Sequence, residues 1–442
     1  MMTAAMLLAV SLQAQDTALT LFVAVDRALR MHPTTALARA QRDRAWAEAA
    51  EASAARRPHL SVEASLNRFE EPMVVQPLHE FDPRNPPLFD RALLQSGVNL
   101  NWTAYDFGRR GLRERAQRAL GEAADAGVTS SEQRLIAGVI TAYLRVVASR
   151  ELVLAQDQRL AALRAESGRV HQLLGTGKAS RVEVLRVDAE VQRVTAERIE
   201  REAQQELAAR ELSQLVGMPY ESIVSRPPVA VTLSGAALDT AQGARANWLA
   251  RAMDRSPELQ QHARRVAAAG ARTGAARAAW YPEVRLSGAF IDRGRLWGDF
   301  AGEWQVGLAV TYSLYTGGTR GSLIDQAVAD ERAADEQLRV LRLDVERNVD
   351  RALAMLREAG ARRTALQAAL EQSTEVVRIE RLSLEVGSGT QTDYLLAEAN
   401  LVTTRASLTE ARHGEIAARA ELARILGELS ADWLARNVES FR

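Results

Sequence analysis

Two stretches of this 442-residue chain repeat one another. "LRMHPTTALARAQRDRAWAEAAEASAARRPHLSVEASL" begins near residue 29, and "MDRSPELQQHARRVAAAGARTGAARAAWYPEVRLSGAF" begins near residue 253. Pro33 matches Pro257 and Pro58 matches Pro282, at an offset of 224. Further on, "YDFGRRG" (105–111) matches "YTGGTRG" (315–321) at an offset of 210. "LLGTGKASRVEVL" then matches "LEVGSGTQTDYLL", read with Gly175 and Gly177 on Gly387 and Gly389. The halves close alike, on "LVG" (215–217) and "ILG" (425–427). Such self-similarity marks two copies of one structural unit, with the register changing where the first half carries a longer loop. The expected layout is a signal peptide over 1–15, a first repeat over 16–217, a linker over 218–247, a second repeat over 248–428 and a tail over 429–442.

Proline placement says what the repeats contain. All twelve prolines lie at or before Pro282, and none falls between Pro87 and Pro219. Proline in a helix interior costs about 3 kcal/mol, so its absence permits very long helices. Leu338, Leu341, Val345, Val349, Ala352 and Leu356 fall at three-four spacing, as do Leu135, Val139, Ala142, Val146, Val153 and Leu160. This is coiled-coil-like patterning. It predicts long helices over about 109–174 and 320–386, each reaching roughly 100 Å. Shorter ones are expected over 34–57, 179–216, 258–281 and 391–427, two of them laid end to end along each long one.

"GTGKAS" (175–180) has the look of a phosphate loop and fails as one. Gln172 stands at the first glycine position, Ala179 follows Lys178, and the preceding residues are helical rather than a strand. It and its partner "GSGTQT" are instead turns where a long helix reverses. Glycine supplies a left-handed C-cap, and Ser180 or Thr392 caps the next helix.

At the other end of each long helix the period changes to two. Leu60, Val62, Ala64 and Leu66 alternate with Ser61, Glu63, Ser65 and Asn67. Leu94, Val98, Leu100 and Trp102 do the same in the next segment, and Val284, Leu286 and Phe290 with Trp304, Val306, Leu308 and Val310 repeat the pattern. Strands are expected over about 58–69, 94–105, 283–291 and 304–315. Alternation over nine to twelve residues is a signature of transmembrane β-strands. Of the 22 aromatic residues, six lie in 58–107 and eight in 280–315, so they gather about the strands. Trp102, Tyr105, Phe107, Trp280, Tyr281, Trp304, Tyr312 and Tyr315 suit a membrane-interface belt.

Four strands do not close a barrel with a lumen, and lipid forbids bare sheet edges. Three copies give twelve strands; arithmetic alone leaves four copies open. No run of 18 apolar residues offers a membrane helix. At the start, Met6–Leu12 is a short apolar run followed by Ala14, in the manner of a secretory signal that lacks its basic region.

Composition removes other classes. Formal net charge is zero, which gives no footing for a nucleic-acid partner. With no cysteine, disulfides and thiolate metal sites are excluded. His32, His59, His79, His171, His262 and His413 are scattered, without a His-Glu-x-x-His pair, and no Gly-x-Ser-x-Gly elbow occurs. No enzyme, cofactor or metal site is expected.

The duplicated "DRALRMHP / ARAMDRSP", the helix-to-strand junctions "RRPHLSV / WYPEVRLSG", "YDFGRRG / YTGGTRG", the paired Gly-x-Gly turns and "LVG / ILG" resemble the TolC-like outer-membrane efflux protein family over residues 19–428. The resemblance implies a mainly α fold with membrane β-structure. It would be a homotrimer with a 12-stranded β-barrel, four strands per chain, continued by a long α-helical coiled-coil barrel. It implies the exit duct of a tripartite efflux pump in the outer membrane of a Gram-negative bacterium, with a large periplasmic portion. Its partners would be outer-membrane lipid, a periplasmic adaptor (membrane fusion protein) and, through it or at the tip, an inner-membrane transporter. Type I protein secretion and metal efflux are the alternatives within the family. A periplasmic coiled-coil adaptor or scaffold without a pore is the alternative outside it, although such a protein needs no lipid-compatible strands.

The family narrows its tunnel with acidic residues just after the second turn. That pattern puts Asp393 on the first acidic position and Leu396 on the second, a departure that weakens a double carboxylate ring. The first repeat offers Arg181 and Glu183 at the corresponding place. Three Asp393 side chains would attract cations, and Arg181–Asp393 ties would hold the aperture shut. The plainer role for Asp393 is a carboxylate favoured by a helix N-terminus. Gly175, Gly177, Ser180, Gly387, Gly389 and Thr392 mark the turns expected to dock the adaptor.

Overall fold

The computed structural model describes residues 18–76, 83–234 and 245–440. The expected signal segment over 1–15 and part of the expected linker (235–244) lie outside the described residues. The described residues divide into two compact units: 18–38, 128–234, 245–257 and 342–440 form the first, and 39–76, 83–127 and 258–341 the second.

Helix boundaries follow from the prolines and small polar residues. Helix α1 (Leu21–Met31) starts where Thr20 Oγ accepts the Val23 N–H at 3.3 Å. It stops at His32, whose successor Pro33 disfavours helical geometry before it. Pro33 then opens α2 (Pro33–Ala54), a position where its missing N–H is no loss. The same construction recurs 224 residues on in α6 (Arg245–Arg255) and α7 (Pro257–Ala278). Both first helices have 11 residues and both second helices 22.

Between them come β1 (His59–Val74), β2 (Phe89–Tyr105), α3 (Arg109–Gly175), α4 (Arg181–Val216), the short α5 (Tyr220–Ser225) and β3 (Val231–Leu233). After α7 follow β4 (Glu283–Gly294), β5 (Phe300–Thr311), α8 (Thr319–Glu385), α9 (Gln391–Ile425), α10 (Ala431–Asn437) and β6 (Val438–Ser440). Helices α3 and α8 each run 67 residues, without a proline to break them. The expected three-four stripe on α8 is buried at Leu338, Val345, Val349, Ala352 and Leu356.

The second unit holds one antiparallel sheet in the order β1-β2-β4-β5. The strands depart from their expected limits. β1 continues to Val74 through a register shift between Arg68 and Met73, and this irregular stretch, which has no ladder partners, is what tolerates Pro72. β2 begins at Phe89 rather than near 94. β5 runs from Phe300 and ends at Thr311, opposite the first residue of β4, so Tyr312 and Tyr315 lie beyond the strand on which they were expected.

The first unit is built around Tyr143, fully buried with Val139, Ile140 and Ala142 of α3 against Leu212 and Val216 of α4 and Ala24, Val25 and Ala28 of α1. The Tyr143 hydroxyl lies 2.8 Å from the carbonyl oxygens of Leu19 and Val229 and accepts the Val229 N–H at 2.9 Å. It thereby ties the segment before α1 to the segment before β3. The tail carries β6, which pairs antiparallel with β3, Leu233 against Val438.

Candidate functional site

The two helix reversals share one geometry. After α3, Gly177 takes a left-handed φ of 73°; after α8, Gly387 takes 78°. Lys178 N–H reaches back to the Leu173 carbonyl at 2.8 Å, and Ser388 N–H to that of Ser383 at 2.9 Å. Three residues beyond each such glycine comes the cap. Ser180 Oγ accepts the Glu183 N–H at 3.3 Å while the Glu183 carboxylate accepts the Ser180 N–H at 2.8 Å, a complete capping box. Thr390 Oγ accepts the Asp393 N–H at 3.2 Å.

The equivalent glycines are therefore Gly177 and Gly387, at the same 210-residue offset as the helices. The expected alignment of Gly175 with Gly387 and Gly177 with Gly389 is corrected by two residues. Gly175 is the last residue of α3. Thr392, expected as a cap, sits inside α9, and Thr390 takes that role.

Of the expected constriction residues, Arg181 and Asp393 are exposed and Glu183 is half-buried. Among the described residues Arg181 and Asp393 form no ion pair; the Asp393 carboxylate takes the Thr390 hydroxyl at 2.6 Å. Leu396 is exposed one turn on. The contacts that do join the two hairpins escaped sequence reasoning. Arg186 donates to Thr392 Oγ at 3.4 Å and Arg169 to Gln391 Oε1 at 3.3 Å. Leu395 of α9 packs on Val170, Val184 and Val187 of α3 and α4.

Higher on the same hairpins, the Arg159 guanidinium is buried against Glu190 at 2.6 Å and Glu197 at 3.4 Å, with Arg193 on Glu190 at 2.5 Å. Burial holds Arg159 below its ordinary pKa, and Glu190 and Glu197 work against that. Opposite, Tyr394 donates to Glu398 at 3.1 Å, and Arg381 meets Glu398 at 3.5 Å. Burial first, then the Glu398 charge, pushes the Tyr394 phenol up.

In the second unit one face of the sheet carries an exposed apolar row. Pairing aligns Val62 with Val98, Val98 with Phe290 and Phe290 with Trp304, one unbroken row across four strands. All four are exposed, Val62 at 77% and Trp304 at 75%. Leu308, paired with Leu286, is 70% exposed. The other face carries rows such as Ser61–Asn99–Ala289–Gln305 and Ser65–Gln95–Arg293–Ala301, with Ile291 and Leu93 as apolar exceptions, while the row Ala64–Ser96–Asp292–Gly302 puts polar residues on the first face. No helix among the described residues is long and apolar enough to cross a membrane.

Aromatic residues mark where strand meets helix. Phe107 stacks on Tyr281 at 4.8 Å and meets Tyr105 at 4.8 Å, and Arg320 lies 5.4 Å from the rings of both Trp280 and Tyr312. The Trp102 indole donates to the Arg56 carbonyl at 2.9 Å. Phe107 itself has a φ of 53°, in the region side chains avoid; its counterpart at +210 is Gly317, φ 60°.

Residues 24–218 and 248–428 match the sequence profile described as outer membrane efflux protein. The chain belongs to the outer membrane efflux protein family. A curated relative, outer membrane efflux protein BepC of Brucella suis, is 24% identical over 360 residues, covering 78% of this chain and 75% of the relative. Among solved structures, the outer membrane protein VceC of Vibrio cholerae superposes with a TM-score of 0.76 at 21% identity, over 92% of this chain and 96% of that one. The CmeC outer membrane channel of Campylobacter jejuni gives 0.79 at 14% identity, over 94% and 88%. These likenesses carry the fold. Membership of the outer membrane efflux protein family makes the chain a passive efflux channel of the outer membrane rather than an enzyme.

Proposed function

We propose that the chain is one third of the exit duct of a tripartite efflux pump in a Gram-negative envelope. Three copies pool their sheets into a 12-stranded barrel in outer-membrane lipid. The turns at 176–180 and 386–390 receive a periplasmic adaptor that couples the duct to an inner-membrane transporter. The row Val62–Val98–Phe290–Trp304 carries this reading: its side chains are exposed although apolar, and β1 and β5 each have one strand neighbour among the described residues. Lipid accounts for the first fact and a sister subunit for the second. A ring of three Asp393 carboxylates, with Arg181 and Glu183 on the neighbouring turn, is the proposed constriction. The aromatic residues at the strand ends, Trp102, Tyr105, Phe107, Trp280 and Tyr281 among them, would form its membrane-interface belt.

The natural chain has no cysteine, so a panel of cysteine pairs, one on β1 and one on β5, tests the assembly directly. Oxidation of outer membranes is expected to give covalent trimers for the pairs in register. A folded protein that stays monomeric throughout the panel, and passes no current in a planar bilayer, overturns the proposal.

A further inference from the structure

A cavity of about 550 Å³ opens in the first unit where α6, the end of α9 and α10 come together. That volume lies in the range of small-molecule sites. None of its residues belongs to the turns or to the sheet.

Its charged wall is organised by one backbone feature. Gly427 ends α9 with a φ of 74°, and a Cβ there would stand 2.3 Å from the Arg255 carbonyl, so glycine alone fits. The turn delivers Glu428 to two arginines. Arg251 Nη2 lies 2.6 and 2.5 Å from its two oxygens, and Arg255 Nη1 lies 3.1 Å from the first. Arg419 and Arg436 also line the cavity. Behind the wall, Glu415 is shared by Arg419 at 3.1 Å and Arg363 at 2.7 Å, and Asp254 lies 3.9 Å from Arg255, so five guanidiniums share three carboxylates, of which Glu428 alone lines the cavity.

The second observation is independent of charge. Trp248 lines the same cavity, is 6% exposed, and its indole N–H finds no acceptor among the described residues. Buried N–H groups in folded proteins are nearly always paired, and the Trp248 donor is one of the few among the described residues without a partner. Arg251 lies 4.6 Å over its ring. The remaining wall is apolar: Leu356, Leu422, Ala423 and Leu426.

An idle buried donor, a cation excess and an apolar wall define one ligand chemistry. We infer that this cavity binds a small amphipathic anion, a carboxylate on a compact apolar or aryl body. The carboxylate competes with Glu428 for Arg251 and Arg255 and accepts the Trp248 N–H, and the body lies on the leucines. The inference stands on this unit alone and does not require the efflux reading.

Benzoate titrated into the detergent-purified full chain, with empty micelles as blank, is expected to bind saturably at one site per chain. Benzyl alcohol, which has the body without the charge, and acetate, which has the charge without the body, should each bind at least about tenfold more weakly. Trp248→Phe and Arg251→Met should weaken benzoate about tenfold, whereas Glu428→Gln, which releases both arginines, should tighten it about tenfold. A gain from Glu428→Gln is not something damage to the fold produces. Absence of saturable binding, benzyl alcohol or acetate equal to benzoate, or Glu428→Gln without a gain each overturns the inference.

Discussion

Thr390 and Asp393 hold one another at the start of α9: the hydroxyl donates to the carboxylate at 2.6 Å and accepts the Asp393 N–H at 3.2 Å. The carboxylate is thus fixed in place while remaining exposed, and the proposed ring of three would place its charge on the conduction path. Asp393→Asn keeps an acceptor for Thr390 and removes the charge. It is expected to lower the cation preference of the channel, read as a shift in reversal potential across a salt gradient. Asp393→Ala should do the same and also weaken the helix start by about 0.3–1 kcal/mol. Unaltered selectivity in both variants removes Asp393 from the conduction path.

Phe107 gives a prediction whose sign comes from comparing two substitutions. Its left-handed backbone costs roughly 1–2 kcal/mol for a side-chain-bearing residue, and the rings of Tyr105 and Tyr281 offset that. Alanine keeps the strain and loses the rings; glycine loses both. Phe107→Gly should therefore be more stable than Phe107→Ala by about 1–2 kcal/mol in denaturant titrations in micelles. Equal stability would show that the strain is absent.

The apolar sheet face predicts an asymmetry along β5. Leu308→Arg should lose about 2–4 kcal/mol of folding stability in lipid if it lies near the bilayer midplane. Gln305→Arg, three residues away on the opposite face, should lose little. Urea titration into vesicles reads both, and equal losses would mean the Leu308 face does not meet lipid.

His413 supplies a pH dependence. Burial holds its imidazole below the ordinary value, helped by Arg412 and opposed by Glu151. The fold thus prefers the neutral ring. Its contribution is whole above about pH 6.5, the unfolded value, and is lost as pH falls from there through the lower folded value. His413→Leu should flatten this part of the stability-pH curve. An acid loss of the same size in the variant assigns the titration elsewhere.

The large features were legible because they are statistical. Proline-free stretches and three-four spacing marked α3 and α8, and alternation marked the four strands. What was missed depended on single torsions. Both turns need φ > 0 at one residue three before the cap, so Gly177 pairs with Gly387, whereas the eye pairs the first glycine of "GTG" with the first of "GSG". Thr392 and Thr390 are equally good caps by composition, and only the turn chooses. The end of β5 at Thr311 is set by where β4 begins, a long-range fact that no local pattern in "TYSLY" records. Arg186, Arg169 and Leu395 were invisible as links because their partners lie on another hairpin.

The matched 67-residue length of α3 and α8 restricts how this protein can evolve. One inserted residue turns everything beyond it by about 100°, which would swing Ser180 or Thr390 and the side chains that interlock the hairpins away from their partners. Lengthening is tolerable only in steps of about seven residues, two whole turns, made in both copies and in the returning helices together. Descendants of this sequence should therefore differ in reach by discrete, paired increments, while their surface residues drift freely.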